Sequence, residues 1–99
     1  MRIKIITVYA DSGHAWAKVS KKELIKLGIE SEISGFSYQN NSHAFLEEDS
    51  DLSIYIEALK LKGIEYKFKE NYSTKRSKIR SYFRYHLPEG TELVTIDYL

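Results

Sequence analysis

Ninety-nine residues suffice for one core and are too few for two, because a chain of this size hides roughly 60 to 70% of its extended surface on folding. A hydrophobic fraction of 42% and a charged fraction of 29% are ordinary for a globular chain and exclude disorder and fibrous repeats. The absence of cysteine excludes disulfides, thiolate zinc sites and a cysteine nucleophile, and a net charge of +1 argues against a dedicated nucleic-acid coat while leaving a local basic patch open.

In chain order, Ile3, Ile5, Thr7 and Tyr9 alternate with Ile6 and Val8, which predicts a strand over residues 1–9, buried on much of both sides and placed inside a sheet. Its apolar stretch is too short and interrupted for a signal peptide, and no window approaches the roughly 20 apolar residues of a membrane span. These features place the chain in the cytoplasm, with no membrane partner. Asp11-Ser12-Gly13 is turn chemistry, an Asx-type bond followed by a glycine expected at positive φ, so residues 15–19 return as the second strand of a hairpin.

Ser20-Lys21-Lys22-Glu23 matches a capping box, with Val19 and Leu24 as a hydrophobic staple. Leu24, Ile25 and Leu27 give one apolar side before Gly28, a left-handed helix end with Ile29 packing after it. Residues 30–41 read as an ordered loop anchored by Phe36, and Asn40-Asn41 as a turn. Residues 42–48 alternate as a strand ending in acids, and Asp49, Ser50 and Asp51 are acceptable N-caps for a helix over about 51–62 that Gly63 closes. Ile64, Tyr66 and Phe68 alternate with Glu65, Lys67 and Lys69 as a half-buried strand, so residues 42–70 form a crossover unit with parallel strands. Residues 74–85 fit either a helix or a strand, and Pro88-Glu89-Gly90 marks a turn before a strand over 91–99. The expected architecture is a single α+β domain over residues 1–99, a mixed sheet of four to six strands packed by two short helices. It is a monomer or a homodimer.

Several groups, Tyr9, Asp11, Gly13-His14, Trp16 and Lys18, Leu27-Gly28-Ile29, Ile33-Ser34, Phe36-Ser37-Tyr38, Leu46-Glu47-Glu48-Asp49 and Ile79-Arg80-Ser81-Tyr82, together resemble a family of small uncharacterised proteins carried by bacteriophages and plasmids. The resemblance spans residues 9–85. That family has no assigned activity, so no residue role follows from it. It implies a setting in a bacterial host, where mobile elements encode small inhibitors of defence systems, of anti-CRISPR or anti-restriction type, that act by stoichiometric binding to a host protein or protein–nucleic acid complex.

The basic segment is the main interaction candidate: Lys75, Arg76, Lys78, Arg80 and Arg84 are interleaved with Tyr72, Tyr82, Phe83 and Tyr85 and carry no acid between 75 and 84. Cations meet phosphates and aromatic rings stack on bases, the combination used for single-stranded nucleic acid, and the same residue types make protein hot spots. Asp11 and His14 beside Trp16, with the acidic Glu47 and Glu48, form a secondary surface. A histidine near a carboxylate can act as a general base, but Ser12 lies outside any Gly-x-Ser-x-Gly pattern, and the plain reading is a capped turn with Trp16 packed on the core. His14, His43, Glu47 and His86 lack metal-site spacing, so no metal, cofactor or catalytic residue is expected. The reading is a binding protein, with a nucleic-acid module as the alternative and a small enzyme centred on Asp11 and His14 as the third.

Overall fold

The computed structural model describes residues 3–87. The turn at 88–90 and the strand expected over 91–99 lie outside them. The described chain runs β1 (Lys4–Ala10), β2 (Ala15–Ser20), α1 (Lys21–Leu27), β3 (Tyr38–Gln39), β4 (His43–Glu47), α2 (Asp51–Leu61), β5 (Tyr66–Tyr72), a 3-10 turn (Lys78–Ser81) and β6 (Phe83–Arg84). The strands make one six-stranded mixed sheet in the order β5-β1-β2-β4-β3-β6, as the α+β reading requires.

Alternation along the strands divides the side chains between two faces. Ile6 and Val8 of β1, Ala17 and Val19 of β2 and Ala44 and Leu46 of β4 pack under Leu24 of α1 and under Tyr55 and Leu59 of α2. On the opposite face Trp16 and Phe45 pack with Ile79, flanked by Tyr9, Tyr38 and Tyr82. Both helices therefore serve one face only. This explains why β1 is not covered on both sides as expected: Ile3 and Ile5, on the helix-free side, are about half exposed at 49% and 52%.

The helix signals hold with one change. The Ser20 Oγ accepts the Glu23 amide at 3.1 Å, and Gly28, at φ 73°, ends α1 while the Ile29 amide reaches the Leu24 carbonyl at 3.0 Å. The reciprocal half of the capping box gives way to a longer-range tie, because the Glu23 carboxylate takes Lys4 Nζ at 2.7 Å and the Tyr55 hydroxyl. In the loop before β3, Phe36 is 68% exposed and anchors nothing. The anchors are Ile33 and Ser37: the hydroxyls of Ser34 and Ser37 and the Ser34 amide donate to Asp51 Oδ2, which ties the loop to the first turn of α2. Asp51 is thus a buried clamp, and the N-cap residue Ser50 makes no side-chain cap bond.

The crossover is confirmed in direction and corrected in neighbours. β5 pairs with β1 in parallel, Lys4 opposite Tyr66 through Ala10 opposite Tyr72, so β4 and β5 point the same way with β1 and β2 between them. β5 is an edge strand among the described residues, and only Tyr66 reaches the helices, so it is not half-buried: Phe68 and Tyr72 are 50% and 60% exposed. Residues 74–85 are neither one helix nor one strand. Ser77 caps a single 3-10 turn by accepting the Ile79 amide, and β6 follows as two residues paired with β3.

Candidate nucleic-acid interface on the helix-free face

The segment leaving β5 is folded back over the sheet by Asp11. Its amide-facing Oδ1 accepts the Gly13 and His14 amides, closing the hairpin turn at 2.9 and 3.0 Å. Oδ2 accepts the Ser77 amide at 3.0 Å and Arg80 Nε at 2.8 Å, while Arg80 Nη2 donates to Oδ1 at 2.9 Å, a bidentate pair on an almost fully buried carboxylate. The Arg80 guanidinium, then the Ser77 amide, hold the Asp11 carboxyl well below the ordinary carboxylate range. Gly13 serves this pair rather than a positive φ. A Cβ there would sit 2.8 Å from Arg80 Nη2, and the positive-φ glycines among the described residues are Gly28 and Gly63.

So clamped, the 3-10 turn lays Ile79 between Trp16 and Phe45, and the Arg80 guanidinium lies 5.2 Å from the Trp16 ring centre. Of the residues singled out in the basic segment, Arg80 is committed to Asp11 and Trp16, and Tyr85 belongs to the core, its hydroxyl donating to the Glu30 carbonyl at 2.6 Å and burial pushing its pKa up. Tyr72, Lys75, Arg76, Lys78 and Arg84 are exposed, and Tyr82 is half-buried against Phe45 with ring centres 5.2 Å apart. Arg84 stacks 4.6 Å from the centre of the Tyr38 ring.

Register adds cations that sequence reading left out. Lys69 lies opposite Thr7, Lys18 opposite Phe45, Phe45 opposite Tyr38, and Tyr38 opposite Arg84; one antiparallel step from the Val8–Ala17 pair puts Thr7 beside Lys18. One row on the helix-free face therefore reads Lys69, Thr7, Lys18, Phe45, Tyr38, Arg84 across all six strands, about 24 Å at a strand spacing of about 4.8 Å. The row holds three cations and no acid. The row above it contains Asn71, Tyr9, Trp16 and Glu47, and the row below contains Lys67, Ile5, Ser20 and His43. Tyr9 stands 6.4 Å from Phe45, so the partly buried Tyr9 and Tyr82 pack on either side of the buried Phe45, which lies opposite the exposed Lys18. Burial, then the Lys18 charge, hold the His43 imidazole below its ordinary range. The period-two alternation of Lys67 and Lys69 with Tyr66 and Phe68 was the signal that could have placed these lysines on one face.

The secondary surface lies at one end of this face. His14 is exposed in the hairpin turn with Nδ1 3.4 Å from Glu47 Oε1 and its ring 6.0 Å from that of Trp16. Glu48 is exposed, and burial followed by the Asp49 and Glu47 charges raises its carboxyl pKa. Asp11 contacts His14 through the backbone amide of His14 and directs its carboxylate to Arg80, so the geometry does not make an acid–base pair of the two side chains. No helix among the described residues is long and apolar enough to cross a membrane. Comparison with protein-family models, curated proteins and solved structures finds no match to this chain.

Proposed function

We propose that this chain binds single-stranded nucleic acid across the helix-free face of its sheet. The observation that carries the reading is the acid-free row Lys69, Thr7, Lys18, Phe45, Tyr38 and Arg84, in which Phe45 is buried and the partly exposed Tyr9, Tyr38 and Tyr82 pack around it. Lysines along the sheet neutralise backbone phosphates, and the partly exposed Tyr9, Tyr38 and Tyr82 offer ring faces on which bases of any identity stack, so binding is tolerant of sequence and steep in salt. Lys67 and Lys78, both exposed, extend the cationic track beyond the central row. A single-stranded site of this width takes on the order of 4 to 8 nucleotides.

The test is fluorescence anisotropy with a labelled ten-nucleotide oligothymidine over a range of salt. Each neutralised phosphate contributes about −0.7 to the slope of log K against log salt, so Lys18→Ala with Lys69→Ala lowers the magnitude of that slope by about 1.4. Lys22→Ala with Lys26→Ala, two exposed lysines on α1, leaves it unchanged. Absence of binding at low salt, or equal binding by the Lys18/Lys69 double variant, refutes the proposal.

A second reading, stoichiometric contact with a host protein as the phage and plasmid resemblance implies, is favoured by one observation: β5 carries the exposed Phe68 and Tyr72 on an edge that pairs only with β1 among the described residues. An extended partner segment adds to such an edge through main-chain hydrogen bonds. Pull-down from a bacterial lysate tests it, with Phe68→Glu and Tyr72→Glu abolishing capture if the edge is the contact. Equal capture by the variants removes it.

A further inference from the structure

We infer that His14, Glu47 and Asp49 form a binding site for a divalent transition-metal ion of the zinc type. The three come from different places in the chain: His14 from the β1–β2 turn, Glu47 from the last position of β4, and Asp49 from the turn after it. Strand pairing brings them together, because Trp16 lies opposite Glu47 and the Glu48 amide continues the ladder to the Ala15 carbonyl at 3.1 Å. One ligand atom from each of the three lies within 4.8 Å of the other two. A point equidistant from three atoms that far apart is about 2.8 Å from each, against about 2.0 to 2.2 Å for zinc–nitrogen and zinc–oxygen bonds, so small rotations of the exposed His14 and Asp49 side chains close the site.

The supporting shell is already built. Glu47 Oε2 accepts the Asp49 amide at 2.9 Å and the Ser50 hydroxyl at 3.2 Å, which fixes the carboxylate and turns Oε1 toward His14 Nδ1 at 3.4 Å. The His14 backbone is fixed in turn, its amide on Asp11 Oδ1 and its carbonyl accepting the Asp11 amide at 2.9 Å. Held ligands of this kind reduce the ordering that an incoming ion must impose. One imidazole with two carboxylates suits zinc, cobalt or manganese, whereas calcium and magnesium prefer all-oxygen shells. Three protein donors leave at least one position for water or another ligand.

The only tryptophan, Trp16, supplies the readout, since its ring centre is 6.0 Å from that of His14 and a paramagnetic ion bound there quenches it. The experiment titrates Co2+ into the tag-free full chain, follows Trp16 emission, and then adds Zn2+ as competitor. Saturable quenching is expected; Zn2+ restores the emission and millimolar Mg2+ does not. His14→Ala and Asp49→Asn each weaken the apparent affinity at least tenfold, on the order of the cost of disturbing a metal ligand's surroundings. His43→Ala leaves the affinity unchanged. Far-UV circular dichroism confirms that each variant is folded, and Asp49→Asn, at an exposed position, stands in if His14→Ala disturbs the turn. Unsaturable quenching, equal quenching by folded Asp49→Asn and His14→Ala, or loss with His43→Ala overturns the site and leaves only a His14–Glu47 contact.

Discussion

Tyr55→Phe removes one oxygen and tests how the two helices are fastened to the sheet. Tyr55 on α2 is fully buried and its hydroxyl donates to Glu23 Oε2 on α1, while Glu23 Oε1 takes Lys4 Nζ on β1. A hydrogen bond to a charged group contributes about 1.5 to 3 kcal/mol. The lower end applies, because the Glu23 side chain is 20% exposed and keeps Lys4, which gives about 1.5 to 2 kcal/mol. At about 4 to 8 °C per kcal/mol for a domain of this size, the melting temperature falls by about 6 to 16 °C. Lys4→Met, which breaks only the more exposed pair, costs about 1 kcal/mol or less. Burial, then the hydrogen bond to Glu23, hold the Tyr55 hydroxyl above its ordinary pKa. Unfolded tyrosine ionises from about pH 10, so above that pH the unfolded state binds fewer protons than the folded state and stability falls as pH rises. Thermal melts by circular dichroism between pH 7 and 11 therefore show a smaller alkaline loss for Tyr55→Phe than for wild type. A shift below about 2 °C at pH 7, or a larger effect from Lys4→Met, refutes the tie.

Three further outcomes follow from named contacts. Asp11→Asn is less stable at neutral pH and flatter in acid: the folded Asp11 carboxyl titrates below its ordinary value of about 3.9, so its contribution is present above that value and is lost as pH falls through and below it. Equal acid sensitivity in melts from pH 7 to 2 contradicts this. Ile79→Ala opens a cavity over Trp16 and Phe45, costs about 2 to 4 kcal/mol in urea unfolding and shifts Trp16 emission to the red; an unshifted spectrum shows that the 3-10 turn does not cover the indole. Gly28→Ala costs about 1 to 2 kcal/mol through backbone strain alone, because a Cβ there meets nothing within 4 Å, and a neutral result contradicts the left-handed end of α1.

What the sequence disclosed was governed by distance along the chain. Ser20 with Glu23, Gly28, Gly63 and the Asp11 turn each act over a few residues, and each element they delimit is present. Asp11 with Arg80 is 69 residues apart, Ser37 with Asp51 is 14, and Tyr55 with Glu23 is 32, so none leaves a local pattern. Arg80 accordingly read as an available cation, whereas its guanidinium closes the fold. The same limit left Asp49 out of the metal candidates, in which His14 and Glu47 stood beside His43 and His86, and it hid the row of Lys69, Lys18 and Arg84, which exists only in the strand register. Phe36 misled for a different reason: its apolarity suggested an anchor, but the hydroxyls of Ser34 and Ser37 found a buried carboxylate on which to fasten the loop.

Chemical-shift mapping of the isotopically labelled chain with unlabelled oligothymidine at low salt tests the proposed binding of nucleic acid on the helix-free face. The largest amide shifts are expected on Thr7, Tyr9, Lys18 and Lys69, with lesser ones at Tyr82 and Arg84, while Leu24, Ile25 and the exposed side of α2 stay still. Shifts confined to the helices, or none at a tenfold excess of oligonucleotide, contradict it.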